Sequence, residues 1–128
     1  MSENDNVVSR RAPEPVGAFP HAKKVGNLLF LSGIGPRSRG TKEIPEGIEA
    51  QTLAVFRNVR TVLEDAGSGW EHIVDVQVFL TDMKNDFAPF NALYAEHFAD
   101  NQPTRTTVEV GSLPTPISVE LKVIATID

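Results

Sequence analysis

Apolar residues recur along this chain with two periods, and the switch between them marks its elements. From Ile48 to Ala66 the period is helical. Ile48, Val55, Val59, Val62 and Ala66 fall on one stripe, which Leu53, Phe56 and Leu63 widen. Gly67 follows where a helix ends in a left-handed residue. A second stripe, Phe87, Phe90, Leu93, Tyr94 and Phe98, predicts a helix over about Asn85 to Ala99, with Thr81 or Asp82 able to cap it. Elsewhere the period is two. Ile73 to Leu80 predicts a strand with Val74, Val76, Val78 and Leu80 on one face and Ile73, Asp75, Gln77 and Phe79 on the other. Val25 to Ser32 predicts another strand, with Gly26-Asn27 as a turn, and Val16 to Pro20 a short edge strand. Two final alternating runs flank a loop marked by Gly111, Pro114 and Pro116, so Pro103 to Glu120 reads as a β-hairpin with a long connection. The order β-β-α-β-α-β-β predicts an α+β domain, two helices covering one face of a mixed sheet of about four to six strands. Residues 1–15, polar and containing Pro13 and Pro15, read as a flexible tail; residues 16–128 read as one domain.

Strand alternation then selects candidate chemistry. If Val108 and Val110 face the core, Arg105 and Thr107 face away; if Val119, Leu121 and Val123 face it, Glu120 also faces away. An arginine and a carboxylate would then project together from the non-core face of the sheet. A guanidinium fork fits a substrate carboxylate in two-point contact, and a glutamate can move a proton. The same pattern also suits an ordinary ion pair on a solvated face. That face mixes Gln77, Arg105, Thr107, Glu120 and Lys122 with Phe79 and Ile124, which points to a subunit interface with clefts at its edges.

Composition narrows the function. The formal net charge of −5 argues against nonspecific binding to nucleic acid or acidic membranes. With no Cys, thiolate catalysis, thiolate metal sites and disulfides are excluded. No apolar run approaches the ~20 residues of a membrane span, and the acidic start lacks a signal region, so a cytoplasmic protein is expected. His21, His72 and His97 have no metal-ligand spacing. Gly33-Ile34-Gly35 lacks the third glycine of a dinucleotide fingerprint, and neither a P-loop nor a Gly-x-Ser-x-Gly elbow is present. Ser32, between a strand and Gly33, suits a substrate hydrogen bond but has no base to make it a nucleophile.

Several blocks resemble one family. Val16-Gly17-Ala18-Phe19, Asn27 to Gly33, Gln51, Asn58-Val59, Ala66-Gly67, Val78-Phe79-Leu80, Asn91-Ala92-Leu93-Tyr94, Pro103 to Val110 and Val119-Glu120-Leu121 resemble the RidA (YjgF/YER057c) family of enamine and imine deaminases. The resemblance runs from about Ala12 to Ile127, and Arg-x-x-Val-Glu-Val with a late Glu is its specific part. It implies a chorismate-mutase-like subunit, a homotrimer with sites in the inter-subunit clefts, and no cofactor. It implies that Arg105 grips a substrate carboxylate, that Glu120 positions and activates water, and that Ser32 and Asn91 line or support the cleft, beside Gly33, Phe19 and Thr107. Phe19 replaces a common Tyr, Thr107 a common Cys and Ile34 a common Gln, and the Pro36 to Thr41 loop is unusually basic. In these respects the chain is most similar to the 2-aminomuconate deaminases. Three cations in six residues, Arg37, Arg39 and Lys42, are then expected to read the far carboxylate of a dicarboxylate substrate. Two further readings stay open: a generalist deaminase of 2-aminoacrylate-like enamines, and a non-catalytic trimer binding a 2-oxo acid.

Overall fold

Six strands and two helices position the site. In the computed structural model, which describes residues 5–127, they are β1 (Asn6–Val7), β2 (Ala22–Val25), β3 (Leu28–Leu31), α1 (Ile48–Asp65), β4 (Ile73–Leu80), α2 (Met83–His97), β5 (Thr104–Glu109) and β6 (Val119–Thr126). The strand order is β1-β2-β3-β6-β4-β5. Every neighbouring pair is antiparallel except β4 and β5, which run parallel because α2 returns the chain to the end where β4 began.

The helices cover one face of this sheet. Phe56, Val59, Val62 and Leu63 of α1 and Phe90 and Phe98 of α2 pack with Leu29, Leu31, Val76, Val78, Leu80, Leu121 and Val123. Phe56 lies at the centre, with its ring edge-on to Trp70, Phe90 and Phe98 at 5.5, 6.4 and 5.8 Å. The helix ends follow the sequence signals. Gly67 adopts φ 83°, its amide bonding Glu64 O and the Ser68 amide bonding Leu63 O. Asp82 caps α2 by accepting from the Asn85 amide at 3.3 Å.

Tertiary pairing overrides the local reading at several points. The expected hairpin does not form: β4 lies between β5 and β6, the connection from 110 to 118 being long enough to cross it. Leu53, expected to widen the α1 stripe, is 45% exposed. A bulge between Ile73 and Asp75 turns Ile73 into the core and Val74 out of it, reversing the expected alternation at that end of β4. Val16 to Pro20 is not a strand; the hairpin partner of β3 is β2, joined through Gly26-Asn27 with Gly26 at φ 61°. Within the expected tail, β1 pairs with β2, and Ala12 is fully buried. Residues 1–4 of that tail lie outside the described residues.

Candidate active site

Glu120 stands on β6, whose residues alternate strictly. Val119, Leu121, Val123 and Ala125 are buried under the helices, so Glu120, Lys122 and Ile124 face the open side of the sheet. Glu120 pairs across β4 with Phe79. Its carboxylate opens onto a cavity of about 210 Å³, whose lining includes Gly33, Phe19, Glu14, Val16, Arg37 and Ile117. Ile34 and Leu121 exchange backbone hydrogen bonds at 2.8 and 3.0 Å, which fixes Gly33 against Glu120. Among the described residues the Glu120 carboxylate has no hydrogen-bond or ion-pair partner, Lys122 donating instead to Leu31 O. Burial alone pushes its pKa above the usual carboxylate value.

The wall of this cavity is the N-terminal segment, and cations hold it. Ser9 Oγ donates to Asp65 at 2.6 Å and Arg11 bridges the same carboxylate at 2.6 Å. Arg39 Nη1 donates to Ala12 O at 2.9 Å and Ser9 O at 3.3 Å. Arg37 donates to Thr41 O at 2.9 Å and to Glu14 O. Buried His21 accepts from the Ser9 amide at Nδ1 (3.0 Å), so its proton is on Nε2, 2.8 Å from Pro13 O. Ser32 Oγ donates to Pro20 O at 2.7 Å, tying the next stretch to β3. The guanidiniums of Arg37 and Arg39, expected to meet substrate, are thus engaged by backbone carbonyls. A loop next to an irregular segment is where uncommitted carbonyls need donors. Arg37 still borders the cavity, whereas Arg39 does not line it.

Arg105 lies elsewhere. In the parallel β4–β5 register it neighbours Val76, and Thr107 neighbours Val78, so both face the helices. Its Nη1 donates to Asn91 Oδ1 on α2 at 2.8 Å, and its guanidinium lies 4.6 Å from the Tyr94 ring centroid and 5.8 Å from that of Phe87. Arg105, Thr107, Phe87, Ala88, Met83 and Lys84 line an open groove between β5 and the start of α2. The Thr107 hydroxyl is buried there without a partner.

The pair expected to share a face therefore does not. The condition for that expectation, Val108 facing the core, is not met: Val108 is 40% exposed, and Arg105 takes the helix side. β5 is an edge strand whose facing is set by its register on β4, and valine tolerates either side. The two groups stand on opposite faces, two strands apart across the sheet and three positions apart along it, so their backbones are roughly 14 Å apart. The sequence reading named Gln51 and Asn58 in the family resemblance but gave neither a role; both are buried on one face of α1. Gln51 accepts from the Ser118 amide at 2.7 Å, and Asn58 donates to Gly35 O and Arg37 O at 2.9 and 2.8 Å, fixing both loops that border the Glu120 cavity. Their signal was polar residues seven apart inside an apolar stripe.

Comparison with known proteins agrees with this architecture. Residues 9–127 match the family profile described as endoribonuclease L-PSP. The RutC family protein of Pyrococcus abyssi is 40% identical over 120 residues, 93% of this chain and 94% of that one. Among solved structures, RidA from an Antarctic Psychrobacter superposes with a TM-score of 0.90 at 34% identity, covering 95% of this chain and 98% of its own. Escherichia coli TdcF, crystallised with bound serine, superposes with a TM-score of 0.89 at 32% identity, covering 96% and 98%. Two helices on a mixed six-stranded sheet, with this register and these relatives, make the subunit chorismate-mutase-like, and the chain belongs to the L-PSP (YjgF/RutC/RidA) family.

Proposed function

We propose that this protein is a cofactor-independent deaminase of small enamines and imines bearing a carboxylate, working at a site shared between two copies in a homotrimer. The observation that carries this is the separation of Arg105 and Glu120 on opposite faces of one sheet, each bordering its own open concavity. A second copy that lays its Arg105 groove against the Glu120 cavity completes an anion grip and a proton carrier. Arg105, steadied by Asn91 and helped by Thr107, holds the substrate carboxylate. With 2-aminomuconate, tautomerisation of the enamine gives the 2-imine. Glu120 takes a proton from water as the oxygen attacks the imine carbon, and returns it to nitrogen as the carbinolamine expels ammonia. Water plus imine gives a 2-oxo dicarboxylate plus ammonia. Gly33 and Phe19 line the cavity side, and Ser32 holds the stretch that carries Phe19 by donating to Pro20 O.

An unpaired, half-buried carboxylate favours catalysis over mere binding. A site evolved only to hold a 2-oxo acid gains nothing from a second anion beside it. Serine in TdcF is a small ligand with nitrogen on the carbon next to a carboxylate, the same arrangement as the proposed substrates. Cleavage of RNA, suggested by the family description, is not favoured by a net charge of −5. The engagement of Arg37 and Arg39 by the N-terminal segment favours, as a second reading, a generalist for monocarboxylates such as 2-aminoacrylate.

Subunit mixing tests the shared site. Arg105→Ala and Glu120→Gln variants, each inactive alone, are co-refolded and assayed for ammonia release from enzymatically generated 2-aminomuconate and 2-aminoacrylate. A shared site regains activity in hybrids, because one variant supplies the arginine and the other the glutamate. No recovery from verified hybrids places both groups' work within one copy and overturns the proposal. The ratio of the two wild-type rates separates the dedicated from the generalist enzyme.

A further inference from the structure

Lys84 sits where the fold gives it no reason to be. It is the second residue of α2, at the end where the helix dipole disfavours a cation. Among the described residues it has no hydrogen-bond or ion-pair partner. The carboxylates around it are already engaged or turned to other work: Asp82 accepts from the amide and side chain of Asn85 at 3.3 and 2.8 Å, and Glu109 accepts from the Met83 amide at 2.9 Å. Asp86, two residues on, is partly buried, and burial raises its pKa.

What Lys84 does border is the Arg105 groove. That groove is lined by two cations, by the apolar side chains of Met83, Phe87 and Ala88, and by Thr107, whose buried hydroxyl lacks a partner. Two like charges lining one groove repel each other unless an anion sits between or against them. A hydrocarbon segment carrying a carboxylate at each end matches this lining: the apolar side chains meet the carbon chain, Arg105 one carboxylate and the lysine the other.

We propose that Lys84 is a specificity-determining residue that reads the second carboxylate of a dicarboxylate substrate, in the role that the Arg37–Lys42 loop was expected to fill. This rests on Arg105 being the anchor of the proposed site. Arg37 and Arg39 are held by Glu14 O, Ala12 O and Ser9 O, which leaves Lys42 as the rival cation from that loop.

The test uses two unreactive product-like probes, the six-carbon 2-oxo dicarboxylate 2-oxoadipate and the monocarboxylate 2-oxohexanoate, titrated calorimetrically at fixed ionic strength into the assembled protein. Lys84→Met keeps the length of the side chain and removes its charge. Lys84 being exposed, the variant folds, as circular dichroism checks. The expected result is about a tenfold loss of 2-oxoadipate affinity in Lys84→Met, a larger loss in Lys84→Glu, and a change below twofold for 2-oxohexanoate in Lys84→Met. Equal effects on both probes, no effect on either, or a selective loss in Lys42→Met instead overturns the assignment. If Arg105→Ala weakens both probes while Lys84→Met weakens neither, only this inference fails. If Arg105→Ala changes neither, or the wild type binds neither probe at millimolar concentration, the anchor fails and this inference with it.

Discussion

Gly33 and Glu120 touch so closely that a Cβ on the glycine would stand 2.6 Å from Glu120 Oε2 and 2.9 Å from its carboxyl carbon. The backbone of Gly33 needs no left-handed conformation, so what the glycine provides is space. Gly33→Ala is expected to displace the glutamate head while leaving the fold intact, since the displaced atoms end a flexible side chain. Steady-state kinetics should show about a 10²-fold fall in kcat, the usual worth of a positioned proton carrier, with Tm nearly unchanged.

Glu120→Gln should separate activity from stability. Turnover is expected to fall by about 10²–10⁴-fold. Burial raises the native pKa of Glu120, so the native state holds the proton more tightly than the unfolded chain does. By linkage, that contribution is complete below the unfolded value near 4.5 and is lost as pH rises through the raised native value. The amide cannot ionise and escapes this loss. Denaturant melts of the dissociated or assembled protein at matched concentration should show the variant gaining on wild type between acid and neutral pH. A gain at acid pH instead would contradict the burial argument.

Arg105 should prove sensitive to shape as well as charge. Its fork is aimed by Asn91 Oδ1 and by stacking over Tyr94. Arg105→Ala is expected to weaken binding by about 2–5 kcal/mol, as for one partner of a buried charge pair. Arg105→Lys should recover only part of this, since an ammonium cannot use the same two-point geometry. Asn91→Ala should raise KM more than it lowers kcat, because it frees the anchor without touching the proton carrier.

Arg37 and Arg39 are expected to act through the wall they hold. Arg37→Ala and Arg39→Ala should loosen the 9–16 segment and lower kcat/KM for dicarboxylate and monocarboxylate substrates by similar factors, together with Tm. A selective loss on the dicarboxylate would return the second-carboxylate role to this loop.

His21→Phe should destabilise the fold. It leaves the Ser9 amide and Pro13 carbonyl without their partner beneath that same segment. An unsatisfied buried polar group costs about 1–3 kcal/mol. Equilibrium denaturation should therefore register a loss in that range or somewhat above it.

The sequence by itself determined both helices, strands β3 to β6 and the α+β class, because helical and strand periods, the Gly67 stop and the Asp82 cap are local properties of neighbouring residues, while the family resemblance was carried by residue blocks such as Pro103 to Val110 and Val119-Glu120-Leu121. It also placed Glu120 correctly on the open face, since the Val119–Leu121–Val123 alternation on a central strand admits one burial phase. Tertiary structure alone decided the rest. β5 and β6 look like a hairpin in the chain, and only the insertion of β4 between them separates Arg105 from Glu120. Which way Arg105 faces follows from the register of an edge strand, where Val108 can lie on either side, and not from any pattern within β5. The same holds for the basic loop. Its charge is visible in the sequence, but whether a guanidinium meets a ligand or a carbonyl of residues some 20 to 30 positions away depends on where the N-terminal segment packs. Faces within one element are encoded by spacing, whereas contacts between elements are encoded by how the whole sheet buries its apolar side.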